Sequence, residues 1–341
     1  MQGKLVTAIC ALGLSVAAFA TSPSYSATLD DVKAKGFVRC GVNKGLEGFS
    51  AQDSAGRWSG LDVDLCKAIA AAIFGDVSKV KFTPLSAKKR FNALLSGEVD
   101  VLARNTTWTM TRDTKTGLNF AGVNYYDGQG FLVRTDLNIK SALEFASISV
   151  CTTSGTTTEL NIIDYLKANK VEHNLVAFEK GDEAVAAYNS GRCQVFTADH
   201  SSLSARRLTL TNPDEHVVLP DIISKEPLGP AVRQGDDQWF NIVKWTHFAM
   251  LNAEELGITK ANVEEQKSSD DPAVKRLLGL EDEFGVALGL NNLWAYNIVK
   301  LVGNYADSFE ANLGPNTKLG IARGKNALWS QGGLQYAPPI R

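Results

Sequence analysis

Apolar and polar positions along the chain fall into two alternating periods. Positions 37–42 alternate as a strand, and Leu65, Ile69, Ala72 and Ile73 then recur at helical spacing. Asp62 and Asp64 stand at the start of that helix, where carboxylates suit the dipole. Apolar runs at 80–83 and 99–103 read as strands on either side of a helix at 90–95. A short helix at 28–35 precedes this set. A glycine-rich loop at 43–60, with a turn at Ser54-Ala55-Gly56, interrupts it.

The order then returns: strand 148–152, helix 159–169, strand 175–178, helix 182–190, strand 194–198. The stretches LLSGEVDVLA (94–103) and YNSGRCQVFTAD (188–199) each read as helix end, Ser-Gly turn and a strand that delivers polar residues. Two alternating sets of this kind predict an α/β chain of two lobes. Extended apolar segments at 128–133 (GQGFLV) and 227–233 (PLGPAVR) predict two crossovers that form a hinge. The expected division is lobe 1 from 28–130 with 231–341, and lobe 2 from 131–230. An amphipathic helix follows at 239–257. The remainder reads as a helical extension whose aromatic face, Trp294, Tyr296, Tyr305 and Phe309, belongs to a core.

Composition narrows the class. A chain of 341 residues, 44% hydrophobic, can bury one or two cores. Its net charge of -2 gives nucleic acid no electrostatic footing, so no such partner is expected. Lys4, an apolar run at 5–20 and the small and polar residues 22–27 predict a cleaved signal peptide over 1–27, and with it export to the periplasm. Export leaves Cys40, Cys66, Cys151 and Cys193, which can pair in three ways. Cys40–Cys66 with Cys151–Cys193 keeps each bridge within one lobe. With no Cys-x-x-Cys and with His173, His200, His216 and His247 scattered, no metal and no cofactor are expected.

The candidate chemistry sits where the strands end. After strand 99–103 come Asn105, Thr107, Thr109 and Arg112, short donors followed by a guanidinium that can grip a carboxylate in two places. A polar surface loop with a salt-bridged arginine has the same pattern. Gly155-Thr156-Thr157-Thr158 precedes a helix and offers its positive end to an anion, or is a plain cap. Asp199 at another strand end can neutralise an ammonium, or can be a surface or cap aspartate. Arg112 and Asp199, one per lobe, together suit a zwitterion in the interlobe cleft.

GRWSGLDVDLCKAIA (56–70), RFNALLSGEVDVLARNTTWTMTR (90–112), SGTTTE (154–159) and QVFTAD (194–199) resemble the polar amino-acid family of periplasmic solute-binding proteins. These are the hinged two-lobe receptors of ABC importers. CGVNKGLEGFS (40–50) and NNLWAYNIVKLVGNYADSFEANLG in the extension are similar to one branch, the general L-amino-acid binders together with the glutamate/glutamine/aspartate/asparagine binders. The resemblance implies the type II periplasmic-binding-protein fold. It also implies a monomer that captures an L-amino acid, with broad specificity or narrow, and delivers it to inner-membrane permease subunits.

Carried over by position, the resemblance puts Arg112 on the ligand α-carboxylate, assisted by Thr107, the backbone near Asn105, Thr156 and Thr157. It puts Asp199 on the ammonium and Asn43 and Leu46 in the site. Leu46 and Ala87 stand where the family has aromatics, which leaves Phe49, Trp58 and Trp108 as replacements for the missing walls. Lys44, Arg90 and Arg104 are the candidates to meet an acidic side chain. An enzyme on the same fold would need a general base, and His200 beside Asp199 is its candidate.

Overall fold

In the computed structural model, residues 28–145 and 147–341 are described. The expected signal peptide at 1–27 lies outside the described residues. Two five-stranded sheets organise the rest. The first runs Val80–Leu85, Val38–Asn43, Val101–Leu102, Ala231–Arg233, Leu118–Phe120 in spatial order. Its first three strands are parallel and its last two pair antiparallel. The second runs His173–Phe178, Ile148–Thr153, Val195–Asp199, Gln129–Arg134, His216–Val218, with the same change from parallel to antiparallel. The alternating periods predict the two α/β lobes, and their arrangement is the type II periplasmic-binding-protein architecture that the resemblance implies.

The crossover is more compact than the extended segments suggest. Tyr125–Asp127 pairs antiparallel with Glu226–Leu228 as a two-stranded ribbon between the sheets. Residues 129–134 already belong to the second sheet, and Ala231–Arg233 to the first. Tyr126 lies opposite Pro227 in that ribbon. Pro227 has no N–H, so the pairing is thin there, as suits a hinge.

Each lobe is held by its own core and its own cystine. Leu61–Phe74 buries ten of its fourteen residues, and its Cys66 is bonded to Cys40 in Val38–Asn43, the second strand of the first sheet. Gly60 adopts φ 128° at the start of that helix, and a Cβ there would sit 2.1 Å from the carbonyl oxygen of Phe49. Only glycine lets the 43–60 loop fold back so closely. In the second lobe Cys151 of Ile148–Thr153 is bonded to Cys193, in the turn that precedes Val195–Asp199. Both bridges are those that keep each pair within a lobe.

The extension from residue 260 is helical as expected, and Trp294, Tyr296, Tyr305 and Phe309 lie in the first lobe's core. It packs on Leu61–Phe74 and on the long helix Asp237–Glu255. It also reaches the hinge: Tyr305 donates to the carbonyl of Asn124 at 2.8 Å. Among the described residues, no helix is long and apolar enough to cross a membrane.

Candidate functional site

Between the two sheets lies a cavity of about 80 Å³, at the carboxyl ends of the parallel strands. That position follows from topology, since strand ends near a change of strand order leave a crevice. From the first lobe its wall takes Asn43, Lys44, Arg90, Arg104, Asn105 and Thr107; from the second, Thr156, Thr157, Thr158 and Asp199. Lys180, Asp182 and Arg206 stand at the second lobe's edge of the same cavity. The lobes touch, with the Thr107 and Thr157 hydroxyl oxygens 3.2 Å apart.

The first-lobe loop is held from beneath. Asp62, fully buried at the start of Leu61–Phe74, accepts the Asn105 N–H at 2.8 Å and the Asn124 amide at 2.9 Å. Burial pushes its carboxyl up to about 6 against those two bonds. Asn105, at φ 35°, then turns its side-chain oxygen to Asn43 Nδ2 at 3.0 Å and Arg104 Nη1 at 3.3 Å. The Asn105 N–H is therefore committed to Asp62.

Two of the charges on the cavity wall are short of partners. Arg90 is 3% exposed, its Nε has no hydrogen-bond acceptor, and Nη1 has only a 3.4 Å bond to the Thr106 hydroxyl. Burial, then the neighbouring Arg112 and Arg104 cations, hold it well below the usual arginine range. Arg104 is lowered to about 10, first by burial, and spends its Nε on the carbonyl of Leu85. Across the cavity Asp199 is 8% exposed and caps no helix N–H through its side chain. Burial first, then the Asp127 and Glu226 carboxylates, raise it well above the ordinary aspartate value. A buried cation and a buried anion, each incompletely paired, form a site for a ligand of complementary charges.

Thr156 serves as helix cap rather than free hydroxyl. Its Oγ1 donates to the Thr153 carbonyl at 2.6 Å and accepts the Glu159 N–H at 3.2 Å. This leaves the positive end of Thr157–Ala168, not the Thr156 side chain, directed at the site.

Five of the expected residues are not brought to the cavity wall. Leu46 and Phe49, 2% and 1% exposed, are absorbed by the first lobe's core, where Phe49 meets Tyr125 edge-on. Trp108 stacks on Phe120 and is 39% exposed. Arg112 is not in a loop but in the short helix Met110–Thr114, which Thr109 caps. That turn aims its Nη1 at the carbonyl of Thr107, 2.7 Å away, and lays its guanidinium over Phe91. Trp58 likewise packs against Phe82. Asn43, Lys44, Arg104, Asn105, Thr107, Thr156, Thr157 and Asp199 are brought together as expected.

Lys180, Asp182 and Arg206 on the cavity wall, and Glu226 behind it, escaped sequence reasoning. Glu226 in the hinge ribbon is 1% exposed and bonds both Thr107 and Thr157. Its only sequence signal was an acid standing directly before the extended segment at 227–233. His200 spends Nε2 on the carbonyl of Leu219, 3.1 Å away, and does not line the cavity. No group of three or more potential metal ligands occurs among the described residues.

Residues 38–260 match the model of the bacterial extracellular solute-binding proteins, family 3. The chain belongs to that family. Over the full length of both chains it is 60% identical to a general L-amino acid-binding periplasmic protein of Rhizobium johnstonii. It is 50% identical to a glutamate/glutamine/aspartate/asparagine-binding protein of Rhodobacter capsulatus, across 96% of this chain and 97% of that one. A periplasmic binding protein of an ABC transporter from Brucella ovis, solved with glutathione bound, superposes with TM-score 0.91 at 60% identity, over 93% of this chain and all of the other. The likeness to these family 3 receptors includes the extension beyond residue 260, which the family model does not span.

Proposed function

We propose that this protein is the substrate-binding component of an ABC importer, captures L-amino acids in the interlobe cavity and delivers them to inner-membrane permease subunits. The supporting observation is the pair of open charges: Arg90, with Arg104 beside it, faces the ligand carboxylate, and Asp199 faces the ammonium. Arg112 contributes its charge from behind the wall and fixes the Thr107 carbonyl. A site of this kind binds the backbone of an amino acid and leaves its side chain to the polar edge formed by Lys44, Lys180, Asp182 and Arg206. That edge holds both signs of charge, which favours broad specificity.

The lobes act as two bodies, residues 28–130 with 231–341 and residues 131–230, closing about the ribbon. Ligand contacts made only in the closed form shift the population toward it. The protein works as a periplasmic monomer after loss of residues 1–27, and catalyses no reaction. A second reading, a ligand with two carboxylates such as glutamate, aspartate or an acidic peptide like glutathione, is favoured by the surplus of cationic side chains, Lys44, Arg90, Arg104 and Arg206, on the wall.

Titration calorimetry on unfolded and refolded, ligand-free protein tests both, with L- and D-amino acids and glutathione as ligands. Tight binding of chemically different L-amino acids supports the broad receptor. Binding confined to ligands with two carboxylates and their amides supports the second reading. Binding of none overturns the amino-acid reading.

A further inference from the structure

Thr107 and Thr157, one from each lobe, are natural candidates to donate their hydroxyl protons to a ligand carboxylate. A count of those protons points elsewhere. Glu226 Oε2 lies 2.6 Å from Thr107 Oγ1 and 2.9 Å from Thr157 Oγ1. Its Oε1 lies 2.7 Å from Asn161 Nδ2 and 2.6 Å from the Ser224 hydroxyl. All four neighbours can donate, an ionised carboxylate can only accept, and four is about its full capacity. Each threonine has a single proton, and Glu226 takes both. The 3.2 Å contact between the two threonine oxygens then has no proton left to carry it.

We propose that Glu226 sets the polarity of the site. By drawing both protons toward the hinge, it leaves two electron-rich oxygens, one per lobe, lining the cavity on the same wall system as Asp199. Such oxygens accept hydrogen bonds and repel a carboxylate. They receive the ligand ammonium together with Asp199, so the carboxylate goes to the arginines. The ammonium is what draws the threonines of both lobes onto one group. Glu226 acts as a positioning residue through Thr107 and Thr157. This assignment rests on the amino-acid reading given above.

The test compares L-glutamate with glutarate, which keeps both carboxylates and lacks the ammonium, by displacement calorimetry. The wild-type protein should prefer glutamate by about 100-fold or more, the scale of several bonds to a charged group. Thr157→Val, which removes the lone pairs but leaves Glu226 its other donors, should cut that preference by about tenfold or more, by weakening glutamate and sparing glutarate. Glu226→Met should reduce the preference in the same direction, and Thr157→Val keeps the question answerable if Glu226→Met fails to fold. Equal weakening of both ligands by Thr157→Val would mean that the hydroxyl donates to a carboxylate, and overturns the inference alone. An unchanged preference does the same. Failure of the wild-type protein to bind glutamate or any other L-amino acid overturns the amino-acid reading and this inference with it.

Discussion

Asn326, in the extension, holds the peptide of Tyr126 in the hinge ribbon by both of its polar groups. Its Oδ1 accepts the Tyr126 N–H at 2.7 Å and its Nδ2 donates to the Tyr126 carbonyl at 3.1 Å. The pair of bonds imitates a neighbouring strand on the outer edge of a residue whose inner neighbour is Pro227. The extension thus braces one strand of the hinge, while in the partner strand the Pro227 carbonyl accepts the Trp108 N–H at 2.8 Å.

Replacing Asn326 by alanine leaves one buried donor and one acceptor without partners. We expect a loss of about 1–3 kcal/mol in stability, measured by urea unfolding. Small-angle scattering of the ligand-free variant should show a more open average shape. An unchanged midpoint and scattering profile would show that the extension does not brace the hinge.

Arg90 should separate stability from binding. It is a buried cation without a paired carboxylate, so Arg90→Met relieves a desolvation cost in the free protein while removing the ligand's grip. Affinity is expected to fall by about 100-fold or more, and the melting temperature of the ligand-free protein to rise. Arg90→Lys keeps the charge without the planar fork and should recover only part of the affinity. A variant that binds normally would move the carboxylate to Arg104 or Arg112.

The raised Asp199 carboxyl makes binding pH-dependent. Ligand-free Asp199 stays protonated above the ordinary aspartate range, for reasons of burial first and of Asp127 and Glu226 next. An ammonium in contact favours the ionised form, so binding releases a proton in that window. Affinity should rise with pH through it and level off above the free protein's value. Calorimetry in buffers of different ionisation enthalpy reads the released proton, and Asp199→Asn should abolish it.

Ligand-free stability should move the opposite way. Asp62 and Asp127, each raised by burial to about 6, bind protons in the folded chain that the unfolded chain has already lost. The fold is therefore less stable above about pH 6 than near pH 4, with Asp62 alone accounting for about 3 kcal/mol. Urea midpoints across that interval test the sign. A midpoint that rises steadily from pH 4 to 6 would contradict it.

The bridges enclose 26 and 42 residues of sequence separation. By loop-closure entropy each restricts the unfolded chain by about 3–4 kcal/mol. Reduction should lower the urea midpoint in two separable steps if the lobes unfold independently, and Cys151→Ala with Cys193→Ala should move only the second lobe's transition.

Much of this was written in the chain. The alternation of strand and helix periods, and the Ser-Gly turns at 96–97 and 190–191, fix two α/β lobes because a buried strand and an amphipathic helix need different spacings. Strand ends then deliver Asn43, Asn105, Thr107 and Asp199 to one crevice, because local order along a parallel sheet determines which residues leave its carboxyl edge. Which arginine lines the cavity was decided elsewhere. Arg112 is turned away by one short helix and a carbonyl, Arg90 is buried with no acceptor for its Nε, and Leu46 and Phe49 are claimed by a core assembled from distant segments. Glu226 meets Thr107 across 119 positions of sequence, a contact no local pattern encodes. Periodicity reports what each segment buries; only the assembled lobes determine where a particular proton or charge finds, or fails to find, its partner.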